Sequence, residues 1–243
     1  MKNINAVFRK HLSSMIRMPL IWGQAGLFFV IMLVFGFFDT DCEDCIRPEP
    51  EMCDACIAAL GEGTPSMAGT FTFMFVGMVL MSTTSGLVQE DKTTKNLKFM
   101  NMANVKAWQY IMATFPAVFL IALPVAFLFP LGGRYFGIME LLVFVSITLA
   151  GMCASIMLGM VMGLSPYPGF SFPLGMIIGF GPMIANTNAA AAQVLRFTFN
   201  QQVNLALRDL EANLTQNFMI IGINFAVFLI ILIFMHRKGR LLA

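Results

Sequence analysis

Six stretches of the sequence are apolar and carry no charged side chain over most of the thickness of a lipid bilayer. They cover residues 20–38, 67–88, 111–131, 141–164, 170–184 and 218–235. Because a helix needs ~20 apolar residues to cross the hydrocarbon core, all but the fifth stretch predict membrane-spanning helices directly. The fifth is short and contains Pro173, Gly175, Gly179, Gly181 and Pro182. It predicts a broken or tilted span packed inside protein, where freed backbone groups find partners.

The first 18 residues have an amphipathic pattern instead. Apolar side chains recur at helical spacing, with His11 on the same stripe, and the remaining positions are mostly basic or polar. The apolar stripe consists of Ile4, Val7, Phe8, Leu12, Met15 and Ile16. This periodicity predicts an interfacial helix over residues 1–18, lying on the membrane surface with its apolar face in the acyl boundary. A simple membrane anchor and a docking element for a partner both fit the pattern.

Composition and charge predict the class of protein and its orientation in the membrane. Hydrophobic residues make up 58% of the chain and charged residues 12%, whereas soluble domains carry about 25% charged residues. With the N-terminus inside, only Arg47, Arg134, Arg196 and Arg208 of the 15 basic residues fall on the outer side. By the positive-inside rule, the sequence predicts an all-α polytopic membrane protein with six transmembrane helices, N-in and C-in. We expect it in the plasma membrane, that is, a bacterial cell or inner membrane.

The cytosolic segment 89–106 between the second and third spans has an ordered charge pattern. Acidic side chains come first and basic ones last, with an apolar side chain among them: Glu90, Asp91, Lys92, Lys95, Leu97 and Lys98. Acids near the start of a helix and bases near its end suit the helix dipole, so the pattern predicts a short helix. An ordinary solvated loop is the alternative.

These features together resemble the type-2 permeases of ATP-binding-cassette (ABC) exporters. The resemblance is carried by the apolar second span, the turn Gln89-Glu90-Asp91-Lys92, the short helix with Asn96-Leu97 and the entry to the next span at Trp108. The amphipathic first helix and the longer outer segment before the last span also match. The fuller family pattern has Glu-Arg-Glu and a Gly-Thr pair, where this chain has Gln89-Glu90-Asp91-Lys92-Thr93-Thr94.

The resemblance implies a function and an assembly. The segment 89–106 would be the coupling helix, which docks on a nucleotide-binding ATPase subunit, with Leu97 and Glu90 as its main contacts. A second copy of the permease would complete the assembly in the bilayer, and the second and fifth spans of both copies would line the path. The outer segment 187–215 would contain short re-entrant or capping helices. Nucleic acid is not an expected partner.

The energy source is expected to lie on another chain. The sequence has no Gly-x-x-x-x-Gly-Lys-Ser/Thr motif to bind nucleotide phosphates, and the apolar stretches contain no ionisable side chain of the kind that proton-coupled transporters use. We therefore expect a transport subunit and not an enzyme, with no cofactor on this chain and with ATP and magnesium on the partner ATPase. A channel-like or regulatory subunit without ATP coupling is the competing class. Copper handling is a further alternative, because the chain has 21 methionines and thioethers favour Cu(I).

The predicted outer loop, residues 39–66, contains four cysteines in two Cys-x-x-Cys pairs: Cys42, Cys45, Cys53 and Cys56. Because the loop faces an oxidising compartment, disulfides are favoured over a zinc site or free thiols, both of which fit the spacing as well. Four cysteines allow three connectivities. The spacing favours Cys42–Cys56 with Cys45–Cys53.

Small and hydroxyl side chains recur inside the spans. The pairs Gly159/Gly163 and Gly175/Gly179 have the four-residue spacing that permits close helix packing, which we favour over a ligand role. The hydroxyl cluster over residues 82–85 fits either an entrance lining or hydrogen bonds back to its own helix.

Overall fold

The computed structural model of the chain describes residues 2–17, 67–102, 105–131, 138–165, 167, 170–208 and 213–241, together with positions 23, 26, 27 and 30. Within these residues the fold is helical and contains no strand. The elements are α1 (Lys2–Arg17), α2 (Met67–Met74), a π-helix (Phe75–Leu80), α3 (Met81–Thr93), α4 (Asn96–Met102), α5 (Ala107–Leu131), α6 (Ile138–Leu164), α7 (Ser171–Thr187), α8 (Ala189–Leu195), α9 (Phe199–Arg208) and α10 (Leu214–Leu241).

Four helices among the described residues are long and apolar enough to cross a membrane. They are Gly69–Thr93, Trp108–Pro130, Ile138–Leu164 and Leu214–Met235. This confirms the all-helical class and the membrane character that the hydrophobic pattern predicts. The predicted first span falls largely outside the described residues, and the loop 39–66 with its four cysteines lies outside them entirely. The number of six spans and the orientation therefore stay predictions.

The fifth apolar stretch forms a shorter helix, α7, with an apolar part over Phe172–Thr187. It runs without interruption and contains Pro182 in its interior. Of the two predicted alternatives, a broken or a tilted span, the break is therefore wrong. Pro182 has no backbone N–H to donate to the Ile178 carbonyl four residues earlier. The side-chain nitrogen of Asn200 of α9 donates to that carbonyl instead, at 2.7 Å.

The second span changes from α to π geometry in its middle, over Phe75–Leu80. Hydroxyl side chains donate hydrogen bonds to carbonyl groups of this segment: Ser155 to Val76, Ser82 to Met78 and Thr84 to Leu80. Ser82 and Thr84 thus bond back to their own helix, which is the second of the two roles predicted for the hydroxyl cluster. Because π-helices are rare and frequently occur at functional sites, this segment is the first candidate for a role beyond packing.

The predicted glycine pairs lie at helix contacts. A Cβ atom built on Gly163 would come within 2.5 Å of Val88 Cβ of α3, and one on Gly159 within 2.7 Å of the Met81 carbonyl oxygen. On α7, a Cβ atom on Gly179 would approach Met78 Cβ of the π-helix to 2.7 Å. These distances confirm the packing role, since only glycine leaves room for the neighbouring helix.

The segment after α7 forms two short helices, α8 and α9. α8 folds back along α7 and places Leu195 against Gly181. After a turn at residues 196–198, α9 passes between α2, α6, α7 and α10. α8 has no buried residue, whereas nearly every described side chain of α9 is buried. The placement of α8 and α9 on the outer side of the membrane stays a prediction.

Candidate functional site

The apolar stripe of α1 packs against another helix of the same chain. α1 lies along α5, and Val7, His11 and Met15 of the stripe are buried. Ile4, Phe8 and Leu12 are partly buried against the same core, whereas Ile16 is exposed. The stripe predicted to face lipid therefore packs against the same chain over much of its length. Its contact with the membrane surface stays a prediction.

A buried carboxylate lies where α1 meets the end of the second span. Asp91 is 1% exposed and His11 is 0% exposed. The His11 Nε2 atom lies 2.7 Å from Asp91 Oδ2, and the ammonium group of Lys10 binds Asp91 Oδ1. Because a carboxylate only accepts hydrogen bonds, His11 Nε2 carries a hydrogen and donates it to Asp91.

Helix α5 completes this cluster. The Tyr110 hydroxyl donates to Asp91 Oδ2 at 3.1 Å, and Thr114 Oγ1 lies 2.9 Å from His11 Nδ1. The rings of His11 and Tyr110 make an edge-to-face contact with centroids 5.6 Å apart. We call Lys10, His11, Asp91, Tyr110 and Thr114 the Asp91 cluster. It joins α1, α3 and α5 through polar contacts on both imidazole nitrogens and both carboxylate oxygens.

The energetics of the Asp91 cluster follow from its burial. Desolvation of a buried ion costs several kcal/mol unless partners compensate it, and removal of one partner leaves the other uncompensated. Lys10 keeps 43% of its side-chain surface exposed, whereas Asp91 keeps 2%. The contacts with His11 and Tyr110 therefore matter more than the contact with Lys10, which water can partly replace.

The helical spacing of the buried residues in α3 explains why Asp91 is buried. Thr84 and Asp91 each lie three or four residues from the adjacent pair Leu87 and Val88, and all four are buried, so the acidic side chain continues the inner face of the span. The sequence contains two signals for this site: an aspartate at the end of an apolar helix face and a histidine on an apolar stripe. What the sequence does not show is that these residues, 80 positions apart, meet.

The other predicted coupling residues lie around this buried point. Glu90, Lys95 and Lys98 are exposed. Lys92 donates to the Ser165 carbonyl at 2.9 Å, which links the segment to the residues that follow α6. Leu97 is partly buried against the core of this chain. Of the six predicted residues, Asp91 is therefore the one whose side chain is fully buried.

A left-handed turn separates α3 from α4. Lys95 has a φ of 59°, and the Thr94 amide donates to the Glu90 carbonyl at 2.9 Å as the helix ends. The Asn96 side chain donates to Thr94 Oγ1 at 2.7 Å. A non-glycine residue in this conformation costs about 1–2 kcal/mol. The turn thus fixes the direction of α4 at an energetic cost that the surrounding hydrogen bonds offset.

Two further observations concern metal binding and similarity to known proteins. Within the described residues, no group of three or more His, Cys, Asp or Glu side chains is placed to hold a metal ion. Comparison with protein-family models, with curated proteins and with solved structures finds no match for this chain. The fold and the site define a helical membrane protein whose first helix is joined to the ends of two spans by a buried ionic cluster.

Proposed function

We propose that the chain is the membrane-spanning permease subunit of an ABC exporter, with six spans, both termini in the cytosol and a location in the plasma membrane. The observation that carries the proposal is the Asp91 cluster. It ties α1, α3 and α5 together directly beside the segment 89–106. A partner that pushes on this segment would therefore act on several elements at once, as a coupling helix must.

The surface of the segment supports docking of a nucleotide-binding ATPase subunit. Glu90 precedes Lys95 and Lys98 along the chain, and all three are exposed. Acidic and basic side chains arranged in order give a directional charge pattern, which favours register and encounter rate at a protein interface. Leu97 packs partly on the core of this chain, and its remaining exposed surface would contribute to the docking surface. ATP and magnesium would be bound by the partner.

The remaining surface supports a membrane assembly of two copies. α10 is apolar, and only 11% of its most apolar stretch is buried within the chain. α7 exposes Phe172, Met176, Ile177, Met183 and Ile184. In the proposed dimer, part of this apolar surface would face the second copy and the rest would face lipid. The path would run between the second and fifth spans, where the π-helix meets the glycines of α7.

Purification of the chain from its native membrane should recover a nucleotide-binding protein. We expect the Glu90→Ala/Lys98→Ala double variant to lose at least about tenfold in affinity for that ATPase, equivalent to about 1.4 kcal/mol, because both charges lie on the exposed face. Co-purification quantified by mass spectrometry, and ATP hydrolysis by the complex, are the measurements. Leu97→Ala is less informative, since Leu97 also packs on its own chain.

Arg196→Ala is the matched control. Arg196 is exposed and lies in the α8–α9 turn, on the opposite side of the proposed membrane, so its loss should leave ATPase association unchanged. Full association and hydrolysis with the double variant would place the docking surface elsewhere. Recovery of no nucleotide-binding protein at all would favour the channel-like or regulatory subunit.

The orientation is tested by labelling of introduced cysteines in intact cells. Cysteines replacing Lys95 and Arg240 should resist an impermeant thiol reagent added outside, and a cysteine replacing Gly133 should react. The physical reason is the concentration of basic residues on the cytosolic side. Reaction at position 95 from outside would contradict the docking proposal as well as the topology.

A further inference from the structure

The face of α1 opposite the buried stripe is exposed and basic. Arg9, Ser13 and Arg17 follow one another at intervals of four residues and are all exposed, so they form one column along the helix. Lys10 lies beside this column and binds Asp91. The burial pattern of α1 therefore places two arginines on the side that this chain leaves uncovered. We call Arg9, Ser13 and Arg17 the arginine column.

The two arginines have no acidic partner in the part of the chain that the structure describes. The ion pairs of α1 join Lys10 and His11 to Asp91, and the first acidic residue of the sequence is Asp39. Arg17 lies in the last turn of α1, where the helix dipole favours a cation, but this effect does not extend to Arg9 in the middle of the helix. The arginine column is therefore a surface of one sign that suits an anion from outside the chain.

α1 runs along α5 in the same direction. His11 contacts Thr114 of α5. Met15, one turn further along α1, lines a cavity together with Val118 and Ala122 of α5. An advance of one turn on α1 thus corresponds to an advance of one or two turns on α5. The two helices therefore lie side by side over this length and do not merely cross.

This direction brings the end of α1 to the depth of the membrane spans. α5 contains the candidate span Trp108–Pro130, and Val118 lies about 15 Å from Trp108 along the helix axis. Because the hydrocarbon core is about 30 Å thick, Met15 lies in the cytosolic half of the bilayer when Trp108 marks the cytosolic boundary. Arg17 follows Met15 and is exposed. Its backbone therefore lies at a depth where an uncompensated charge is costly.

The direction of the side chains compensates for that depth. Helical side chains lean toward the N-terminus of their helix, and the N-terminus of α1 is cytosolic in the proposed orientation. Arg17 can therefore keep its methylene groups in the acyl region and extend its guanidinium group back toward the headgroups. Arg9 lies about 12 Å nearer the N-terminus. Both guanidinium groups are then directed to the headgroup layer of the cytosolic leaflet, with the Ser13 hydroxyl between them.

We propose that the arginine column binds the headgroup of an anionic phospholipid in the cytosolic leaflet. A guanidinium group donates parallel hydrogen bonds to phosphate oxygens, and anionic lipids attract basic side chains at this surface. The bound lipid would lie against a helix that the Asp91 cluster and the apolar stripe hold on α3 and α5. The inference rests on the proposed orientation of the spans and not on the docking of an ATPase.

The test compares two lipids that differ in headgroup charge. The purified full chain in neutral detergent micelles is titrated with dioleoyl phosphatidylglycerol and with dioleoyl phosphatidylcholine, and the retained lipids are counted by native mass spectrometry. We expect the anionic lipid to bind at least about tenfold more tightly, because each arginine near an anionic headgroup adds to its affinity. Bound phosphatidylglycerol should also raise the melting temperature, whereas inorganic phosphate at the same concentration should not, since it has no acyl chains to lie against α1.

Three double variants locate the binding surface. Arg9→Gln/Arg17→Gln should bring the affinity ratio of the two lipids close to one and leave the melting temperature without lipid unchanged, because both side chains are exposed. Arg9→Lys/Arg17→Lys should keep most of the preference, since both positive charges remain. Lys106→Gln/Arg196→Gln is the matched control. It removes two exposed charges outside α1 and should keep the ratio of the parent.

Several results would overturn the proposal. They are a ratio near one in the parent, an unchanged ratio in the glutamine variant, an equal loss in the matched control, and equal stabilisation by inorganic phosphate. Loss of ATPase association in the glutamine variant with an unchanged lipid ratio would assign the arginine column to a protein partner instead. Because the lipid titration contains neither ATP nor an ATPase, its outcome is independent of the docking test.

Discussion

Replacing Asp91 with alanine should destabilise the protein more than any other single change in the Asp91 cluster, by about 3–5 kcal/mol. The substitution removes the acceptor that binds His11, Lys10 and Tyr110 at once. His11 is fully buried, so its imidazole would remain in the interior without the partner of its Nε2 atom. The melting temperature of the purified protein in detergent micelles measures the loss.

Variants of the surrounding residues should give a graded series. Tyr110→Phe and Thr114→Val each remove one hydrogen bond and keep most of the shape, so each should cost about 1 kcal/mol. Lys10→Ala should cost less than His11→Ala, because the Lys10 side chain is 43% exposed and water replaces part of its contact. Equal losses of stability in Lys10→Ala and His11→Ala would contradict the conclusion that the buried His11–Asp91 contact contributes more than the Lys10–Asp91 contact.

Asp91→Ala should also have a local effect, the release of α1, which distinguishes it from a general loss of stability. α1 is held on α5 by its apolar stripe and on α3 by the Asp91 cluster, so Asp91→Ala should release α1 before the spans unfold. Limited proteolysis should then cut the N-terminal helix of the variant about tenfold faster than that of the parent, as expected if release costs about 1.4 kcal/mol less. An unchanged cleavage rate in a protein with a lowered melting temperature would show that α1 is held by the stripe alone.

The membrane class was predictable because it depends on local pattern. Long uncharged stretches define spans by length, so the helices over Trp108–Pro130 and Ile138–Leu164 agree with the predicted stretches to within a few residues. Glycine spacing likewise predicts contact, and the contact of Gly163 with Val88 confirms it. Each of these signals lies within one helix and needs no knowledge of its neighbours.

What the sequence left undetermined depends on contacts between distant segments. Asp91 belongs to a charged stretch whose composition predicts exposure to solvent. Only its position on the inner face of α3 shows that its side chain is buried. Its pairing with His11 depends on how α1 packs. The α9 helix illustrates the same limit, because residues too polar to span a membrane alone become buried when α2, α6, α7 and α10 surround them. The π-helix has no reliable local signal in the sequence, and the Val76 carbonyl within it accepts a hydrogen bond from Ser155 of α6, a residue 79 positions away.

The second large effect is expected at the contact between α6 and α3. In Gly159→Ala/Gly163→Ala, the new methyl groups would lie 2.7 Å from the Met81 carbonyl oxygen and 2.5 Å from Val88 Cβ. Such distances force the helices apart, because the Met81 carbonyl cannot rotate away as a flexible side chain would. Overpacking costs about 1–3 kcal/mol at each site, so the double variant should lose about 2–6 kcal/mol and melt well below the parent.

Two other glycines provide controls of opposite sign for this prediction. Gly86 of α3 and Gly222 of α10 have no atom within 4 Å of the Cβ position. Gly86→Ala and Gly222→Ala should therefore stabilise the protein by about 0.5–1 kcal/mol each, because alanine loses less backbone entropy in a helix. A higher melting temperature for these variants with a lower one for the Gly159/Gly163 pair would show that steric contact, and not helix propensity, sets the response. Similar shifts at all four positions would mean that α6 and α3 do not pack as closely as Gly163 and Val88 indicate.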